Sequence, residues 1–507
     1  MSVGAAAERR VLLGLAIFAM AWAIVRARVQ AITIDEAVTY VNFVYPDDPT
    51  WWSAHANNHV LNSVMMRIFT GVFGTSHLTV RSGALIGAAV FILAAYFLSA
   101  LIGQSFLLRL SLFICLVFNP LIFDFLVAAR GYGLASGFLL CAICLVAYAK
   151  RPEATTSSRS LVRACILASV CMALSFASNF SFAFVDAATL ALLYIWTSAG
   201  SPLKTRGKLA AACFLPCLLL DGALVPLLLK WEEPLTYGAA HLSETFRSLF
   251  EASFYELRPS VSDLIFVDVP GVILPMFALF AAWRVGLILI NWQSLRNARG
   301  RWAFALTAIP ITAVSFAVFV HWLLFRLTHT PLPKDRTGIY IVVLITLSVG
   351  MLAAVPIPTR AGDLSRRSLT ILMVILGSYF MLCLRVSYFK EWKWDSDTDK
   401  LYSVLADYHR ACGLKDVAVN WRYNGSLNFY RVASTPEAFP SFLHILEYPA
   451  GKRAYVLYGP EDRNFIASHA LTVAYQAPSG AVIALDPAIE PPPGESACTI
   501  PPPHQSK

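Results

Sequence analysis

The sequence predicts an α-helical polytopic membrane protein with about eleven transmembrane helices and a small C-terminal extracytoplasmic α/β domain. Of its 507 residues, 57% are hydrophobic and 14% are charged, whereas charged residues make up about a quarter of a typical soluble domain. Apolar runs recur over residues 1–389, and residues 390–486 are polar with short β-type segments. A proline-rich segment, 487–507, follows and is predicted to be disordered.

The apolar runs are each long enough to cross a bilayer. The first has two interpretations, because its basic start and its small residues are also typical of a signal peptide. Its length favours a retained span. The predicted spans are 11–27, 81–102, 105–126, 131–149, 162–178, 180–197, 208–230, 265–290, 302–325, 337–356 and 368–388.

Lysine and arginine are concentrated in alternate connections between these spans. The positive-inside rule makes those connections cytoplasmic, together with the N-terminus, and an odd number of spans then places the C-terminal domain outside the cytoplasm. The net charge of +9 therefore orients the chain and does not indicate nucleic-acid binding, since the cations form no continuous basic face. The cytoplasmic cations are Lys150, Arg151, Arg159, Arg163, Lys204, Arg206, Lys208, Arg296, Arg299, Arg301, Arg360, Arg366 and Arg367.

The first extracytoplasmic loop, 28–80, combines polar groups with an interfacial helix. Asp35 and Glu36 follow the first span closely. Acidic residues so near the bilayer cost free energy, so their presence indicates a function. The alternative is that Asp35 is only the N-cap of a short helix beginning at Glu36. Asn58 and His59 add an amide and an imidazole. Residues 59–73 then show apolar side chains at helical spacing, which predicts an amphipathic helix lying on the membrane.

The order of motifs in this loop resembles that of a known family. The chain has DEA at 35–37, NNHVLN at 57–62 and LTVRSGALIGAAV at 78–90. This order is similar to the start of GT-C glycosyltransferases, namely the bacterial relatives of protein mannosyltransferases and aminoarabinose transferases. The resemblance implies that a sugar is taken from a polyprenyl-phosphate carrier on the extracytoplasmic face of the membrane.

The resemblance also implies a catalytic residue. The first-loop acid of the family is the catalytic base, and the matching position here is Asp35. A base at that position accepts the proton of the acceptor hydroxyl as it attacks the anomeric carbon, and the phosphate leaves without needing an acid, so the transfer is inverting. Glu36 is predicted to orient the acceptor or bind a cation, and the alternative is a solvated helix acid.

Two further stretches are predicted to bind the leaving lipid phosphate, because negative charge builds there in the transition state. FDFLVAARGYGLA contributes Asp124, Arg130 and Tyr132, and HTPLPKDRTGIY contributes Lys334, Arg336 and Tyr340. The second stretch breaks the positive-inside trend, which favours a function. The alternative for an arginine in an external turn, such as Arg130, is that it reaches out to lipid headgroups.

His59 departs from the family pattern. The aminoarabinose transferases have a lysine followed by two prolines in this loop, whereas this chain has Asn58-His59-Val60, so the resemblance implies that His59 stands in for the lysine. No metal site is predicted, since His59 has no HxxxH or HxE partner, and a divalent cation is left open as a cofactor. Asp186, Asp221 and Asp268 have two interpretations, as buried hydrogen-bonded acids or as residues that line a donor cavity.

The C-terminal domain is predicted to contain a helix at 397–412 and strands at 416–420, 454–458, 471–475 and 481–485. Eight of the ten cysteines lie in apolar segments and behave as small hydrophobic residues. Only Cys412 and Cys498 lie in the polar region, where they form either a disulfide or two free thiols.

Together these features predict an inverting glycosyltransferase of the bacterial inner membrane. Its partners are a polyprenyl-phosphate-linked sugar donor, an envelope glycolipid, glycan or protein acceptor, and the lipid bilayer. The alternatives are a transporter or flippase of a lipid-linked glycan, and a membrane scaffold without catalysis. A transporter is disfavoured because its polar residues usually lie near the midplane of paired repeats, whereas the polar groups here crowd one membrane face.

Overall fold

A computed structural model describes residues 3–53, 55–102, 105–153, 157–230, 235–254, 269–434, 437–493 and 496–498. Two predicted features lie outside these residues, namely the acid Asp268 and the end of the proline-rich segment, 499–507. Within the described residues the chain is mostly helical, with one small sheet near the C-terminus.

The described α-helices, in chain order, are α1 (Val3–Val29), α2 (Ile34–Thr39), α3 (Val60–Phe73), α4 (His77–Val80), α5 (Ser82–Leu101), α6 (Phe106–Val117), α7 (Pro120–Phe125), α8 (Tyr132–Ala149), α9 (Ser158–Ser178), α10 (Ala183–Ser198), α11 (Leu203–Gly222), α12 (Val225–Leu228), α13 (Leu242–Ser253), α14 (Val269–Ile290), α15 (Ala298–Thr328), α16 (Ile339–Ala354), α17 (Arg360–Leu382), α18 (Thr398–Cys412), α19 (Trp421–Ser434) and α20 (Gly459–Ser468). The strands are β1 (Val417–Val419), β2 (Ala454–Tyr458), β3 (Thr472–Gln476) and β4 (Ala481–Leu485).

The protein is a polytopic membrane protein, as predicted. Eight of the helices in the described part of the chain are long and apolar enough to cross a bilayer, namely α1, α5, α8, α9, α10, α14, α15 and α16. The other three predicted spans overlap α6 and α7, α11 and α12, and α17, so two of them are each divided into two helices. The predicted interfacial helix is α3, whose last residues Val72 and Phe73 are 68% and 70% exposed.

The predicted span at 105–126 is divided into two helices. Helix α6 ends at Val117, and Asn119 then caps α7, since its Oδ1 accepts a hydrogen bond from the N–H of Ile122 (3.3 Å). Pro120 occupies the first turn of α7. Proline lacks an N–H and fits this first-turn position, so the Asn119 cap and Pro120 together start a new helix here.

The chain divides into two compact units, and the first comprises residues 1–25, 54–62 and 83–384. Arg284 on α14 is one of its largest fully buried side chains. Its guanidinium donates hydrogen bonds to the carbonyl oxygens of Leu352 (2.7 Å) and Ala353 (2.9 Å) at the end of α16. It also donates to Gly362 O (2.8 Å) in the first turn of α17. Arg284 therefore satisfies carbonyls that have no partner inside α16.

The second unit comprises residues 26–53, 63–82 and 385–507, and contains the sheet. The strand order is β1-β2-β4-β3, with β1 parallel to β2 and both other pairs antiparallel. The four predicted strands are thus present, each within one residue of its predicted bounds at either end. The turn predicted between the last two is closed by a hydrogen bond from Gly480 N to Ala477 O (3.0 Å).

Helices cover both faces of this sheet because its side chains alternate. Val456 and Ile483 pack with Leu401 of α18 and Leu427 of α19, whereas their strand neighbours on the opposite face pack against Phe465 of α20. Helices α19 and α20 were not predicted. A disulfide joins Cys412 to Cys498, so the interpretation of these residues as two free thiols is wrong.

Candidate active site

The two first-loop acids lie in the first turn of α2, in the second unit. Thr33 is the N-cap, because its Oγ1 accepts a hydrogen bond from Glu36 N (3.3 Å) while the Glu36 carboxylate accepts one from Thr33 N (3.0 Å). This capping box satisfies two of the unpaired N–H groups at the helix start. The alternative that Asp35 caps a helix beginning at Glu36 is therefore wrong, and Asp35 is a half-buried residue inside α2.

Glu36 forms a fully buried ion pair with Arg81. The guanidinium donates to both carboxylate oxygens, at 2.8 and 2.7 Å, and both side chains are 0% exposed. Arg81 also donates to the carbonyl oxygens of Ala27 (3.0 Å), Gln30 (2.7 Å) and Ala31 (2.7 Å). Glu36 is thus not a solvated helix acid. It links α2, through Arg81, to the carbonyls at the end of α1 and just after it.

Asp395 is an acid of this unit that sequence reasoning did not single out. Its Oδ2 accepts a hydrogen bond from Ile34 N at the start of α2 (2.6 Å), and its Oδ1 accepts one from Ser426 of α19 (2.9 Å). Burial raises the pKa of Asp395 well above its ordinary value, and the charges of Asp35 and Glu36 raise it further. Asp395 therefore anchors the turn that carries Asp35.

In the first unit, the three stretches with predicted substrate-binding residues meet around one cavity. Its volume is about 410 Å³, and Asn58, His59, Tyr132 and Thr337 are among the residues that line it. These residues come from the first loop, from the turn before α8 and from the segment before α16. Residues far apart in sequence thus line one cavity, whose wall is mostly apolar and carries a few polar groups.

His59 is a buried residue of this pocket, with 6% of its surface exposed. Its ring packs against that of Tyr132 with the centroids 5.4 Å apart. Burial lowers the pKa of His59 well below its ordinary value, and the positive charges of Arg130 and Arg336 lower it further. The imidazole is therefore neutral at pH 7, unlike the lysine whose place the resemblance gives it.

Arg130 is 2% exposed, so the interpretation that it reaches out to lipid headgroups is wrong. It donates hydrogen bonds to the Asn57 side-chain oxygen (3.1 Å) and to the Asn57 carbonyl (3.4 Å). Asn62 donates from Nδ2 to Ala129 O (3.0 Å), which holds the start of α3 against the same turn. Asp124, on α7, is also buried. This turn is therefore a packed part of the first unit.

The Lys334–Arg336 segment is held by residues of α13 and of the segment that precedes it. Lys334 Nζ lies 2.9 Å from Glu244 Oε1, and Asp335 accepts a hydrogen bond from the Tyr237 hydroxyl (3.1 Å). The Arg336 guanidinium lies over the Tyr237 ring, 4.5 Å from its centroid. The partners Glu244 and Tyr237 were not identified from sequence, and they fix two of the predicted phosphate-binding cations.

Backbone pairing positions this segment as well. Ala239 and Leu332 exchange two hydrogen bonds (2.8 and 3.0 Å) as an isolated antiparallel bridge. Tyr340 begins the next helix but is fully buried, with its ring 5.6 Å from that of Phe182. Tyr340 is therefore enclosed in the first turn of α16, and the segment before this helix presents Arg336 beside the pocket.

Among the described residues, no group of three or more His, Cys, Asp or Glu side chains is arranged to hold a metal ion. Asp186 is buried on α10, and Asp221 accepts a hydrogen bond from the Cys217 thiol (3.0 Å). Neither residue lines the cavity at His59.

Gly131 separates Arg130 from Tyr132 and has a left-handed backbone, with φ of 73°. A Cβ atom here would lie 2.1 Å from Ser178 O and 3.0 Å from His59 Cβ. We therefore expect Gly131→Ala to displace His59 and to lower the unfolding temperature by several degrees, as a loss of about 1–3 kcal/mol would. Thermal unfolding of the purified protein in detergent measures this effect.

The control is Gly200→Ala in the same unit. Gly200 has nearly the same φ, 74°, but a Cβ atom at this position would meet no described atom within 4 Å. The Gly200→Ala variant therefore has the same backbone strain as Gly131→Ala but no steric clash. If the two variants lower the unfolding temperature equally, the close approach of His59 and Ser178 to Gly131 does not contribute to the effect.

No family model matches the sequence, and no curated protein matches it. The crystal structure of ArnT from Cupriavidus metallidurans in the apo state is 11% identical, with a TM-score of 0.42 over 95% of this chain and 98% of that chain. The structure of the same protein bound to undecaprenyl phosphate is 11% identical, with a TM-score of 0.48 over 97% of this chain and 100% of that chain.

Proposed function

We propose that the chain is an inverting glycosyltransferase that moves a monosaccharide from a polyprenyl-phosphate carrier to an envelope acceptor. The observation that carries the proposal is the pocket of the first unit: His59 lines it, and Arg130 and Arg336 lie close enough for their positive charges to act on the His59 imidazole. A mostly apolar cavity with a few polar groups, a neutral imidazole in its wall and two cations nearby fits a ligand that carries a phosphate and a polar headgroup. The many membrane spans suit a carrier that is itself a lipid.

The proposed reaction is a direct displacement at the anomeric carbon. The acceptor hydroxyl forms a new bond to that carbon while Asp35 accepts its proton. The bond from the carbon to the phosphate oxygen breaks, and its electron pair stays with the phosphate. The products are the glycoside, with inverted configuration, and the polyprenyl phosphate. Asp35 then returns its proton to water.

Arg130 and Arg336 are proposed to stabilise the leaving phosphate. The charge on the phosphate rises as the bond breaks, so cations fixed in advance lower the barrier without reorganising. Both are held in this way, Arg130 by Asn57 and Arg336 by the Tyr237 ring. Lys334 contributes at longer range because it is already paired with Glu244.

Glu36 is proposed to be a positioning residue in place of a direct substrate ligand. Its carboxylate is fully buried against Arg81 and the N-cap of α2. Asp35 is the neighbour of Glu36 in the same helical turn. The ion pair between Glu36 and Arg81 therefore fixes the direction of the Asp35 side chain. Asp395 supports the same turn through Ile34.

We also propose that the C-terminal domain faces the extracytoplasmic side of a bacterial inner membrane. The cations of the alternate connections support this orientation. The disulfide between Cys412 and Cys498 agrees with it, because such bonds persist in oxidising compartments.

The test is sugar transfer by the purified protein in detergent or liposomes, given a polyprenyl-phosphate sugar and extracted envelope components. We expect radiolabelled sugar to pass to an acceptor and free polyprenyl phosphate to appear in equal amount. Parallel reactions with EDTA determine whether a divalent cation takes part. Movement of the intact lipid-linked sugar across liposomes without cleavage would contradict the proposal and favour the flippase alternative.

A further inference from the structure

The pocket at His59 extends well beyond the residues that were predicted to bind the donor. Its lining also includes Asn179 and Ser181 from the turn between α9 and α10, and His321 from α15. None of these three residues has a role in the reaction proposed above. At about 410 Å³, the cavity falls within the usual range of small-ligand sites, about 300–1,000 Å³.

Three polar atoms of this lining are buried without a hydrogen-bond partner among the described residues. They are Nε2 of His59, Nε2 of His321 and Nδ2 of Asn179. The Asn179 side-chain oxygen accepts from Ser181 N (3.0 Å) and Ser181 Oγ (2.7 Å), so the amide orientation is set and Nδ2 is the group left over. Buried polar atoms normally have hydrogen-bond partners. The grouping of three unpartnered atoms at one cavity therefore points to a bound ligand that supplies those partners.

The chemistry of these atoms favours a ligand rich in hydroxyl groups. The Asn179 amide can only donate from Nδ2, whereas each imidazole Nε2 donates or accepts according to its tautomer. A hydroxyl both donates and accepts, so it pairs with all three atoms. Aromatic rings of Tyr132, Phe180 and Phe184 supply apolar faces on the same lining, which suits the C–H faces of a sugar ring.

The charges around the cavity disfavour a cationic ligand. Arg130 and Arg336 lie close enough to His59 for their positive charges to act on its imidazole. Among the described lining residues there is no Asp, Glu, Lys or Arg. An ammonium group placed here would be repelled by the positive charges of the two nearby arginines and would meet no carboxylate among the described lining residues.

We propose that this cavity binds the sugar ring of the lipid-linked donor and selects an uncharged sugar over an amino sugar. The inference rests on the proposed function and adds the chemical class of the transferred sugar. Asn179 and His321 become residues that determine donor specificity. The phosphate stays with the arginines, and the ring hydroxyls pair with Asn179, His321 and His59.

The test measures binding of three synthetic short-chain polyprenyl-phosphate donors to the purified full chain, with the bare polyprenyl phosphate as reference. The donors carry a neutral hexose, a 4-amino-4-deoxy pentose and a uronic acid. We expect the neutral donor to bind about tenfold more tightly than the amino-sugar donor, as one hydrogen bond and a like-charge repulsion would give. Equal or tighter binding of the amino-sugar donor would overturn the inference.

Two variants sharpen the test. Asn179→Asp keeps the side-chain oxygen that accepts hydrogen bonds from Ser181 and replaces the unpartnered amide nitrogen with a second carboxylate oxygen. It should therefore raise the affinity for the amino-sugar donor, relative to the neutral donor, at least severalfold. His321→Phe should weaken only the sugar-bearing donors, and His321→Gln should restore much of that loss. If either variant changes binding of the bare lipid phosphate as strongly as that of the donors, the residue is structural and the inference fails.

The reference ligand separates this inference from the proposed function. If the bare polyprenyl phosphate binds and the three sugar donors bind equally well, the proposed sugar specificity is overturned and the glycosyltransferase proposal stays intact. A wild-type protein that binds neither the bare lipid phosphate nor any donor overturns both.

Discussion

The Asp35→Asn variant is expected to fold and to bind the donor, but to lose sugar transfer by about a hundredfold to ten-thousandfold. The amide matches the shape of the carboxylate but cannot take the proton of the acceptor hydroxyl. Donor binding should persist because the residues proposed to hold the phosphate, Arg130 and Arg336, are unchanged. Transfer by the purified variant and binding of the bare polyprenyl phosphate measure the two effects separately.

Asp47→Asn is the matched control for this variant. Asp47 is an exposed acid of the same loop, and its replacement makes the same change in charge and shape. Wild-type transfer by Asp47→Asn together with a loss in Asp35→Asn would assign the proton transfer to Asp35. Near-normal transfer by Asp35→Asn, at normal level in the membrane, would mean that another group is the base.

The Arg81→Met variant is expected to be the most destabilising single change in the second unit. Removing the guanidinium leaves Glu36 as a fully buried charge without its ion-pair partner and removes the donors to three backbone carbonyls. Breaking a buried ion pair in this way typically costs about 3–5 kcal/mol. Expression level and thermal unfolding in detergent measure the loss, and transfer should fall with it because α2 carries Asp35.

Two further variants test the ion pair itself. Arg81→Met combined with Glu36→Gln removes the buried charge, so it should be more stable than Arg81→Met alone. Arg247→Met breaks a solvent-exposed ion pair with Glu251 and should unfold at nearly the wild-type temperature. A double variant that is no more stable than Arg81→Met would contradict the importance given to the Glu36 charge.

Local sequence patterns predicted much of the fold. Long apolar runs predicted the spans, apolar side chains at helical spacing predicted α3, and short strand-like segments in the polar region predicted the four strands. Helix α19 was missed although Tyr423, Leu427 and Tyr430 recur at helical spacing, because Gly425 and the polar residues between them weaken the pattern. The break of the predicted span 105–126 at Asn119-Pro120 could also have been predicted, since Asn followed by Pro is a helix-start signal.

The partners of the site residues could not be predicted in the same way. Arg81 lies 45 residues from Glu36, Lys334 lies 90 residues from Glu244, and Asp395 lies 361 residues from Ile34. Such pairs depend on tertiary packing and leave no periodic trace in the sequence. For the same reason the burial of Glu36 could not be foreseen, and a residue expected at the acceptor proved to be internal.

The most direct test of the proposed sugar transfer is mass analysis of envelope glycans from the source cell with and without the gene. Deletion is predicted to lower the mass of one envelope component by one monosaccharide. Expression of the wild-type chain should restore that mass, whereas the Asp35→Asn chain at the same membrane level should not. Identical envelopes in all strains, or full restoration by Asp35→Asn, would contradict the proposal that this chain transfers sugar with Asp35 as its base.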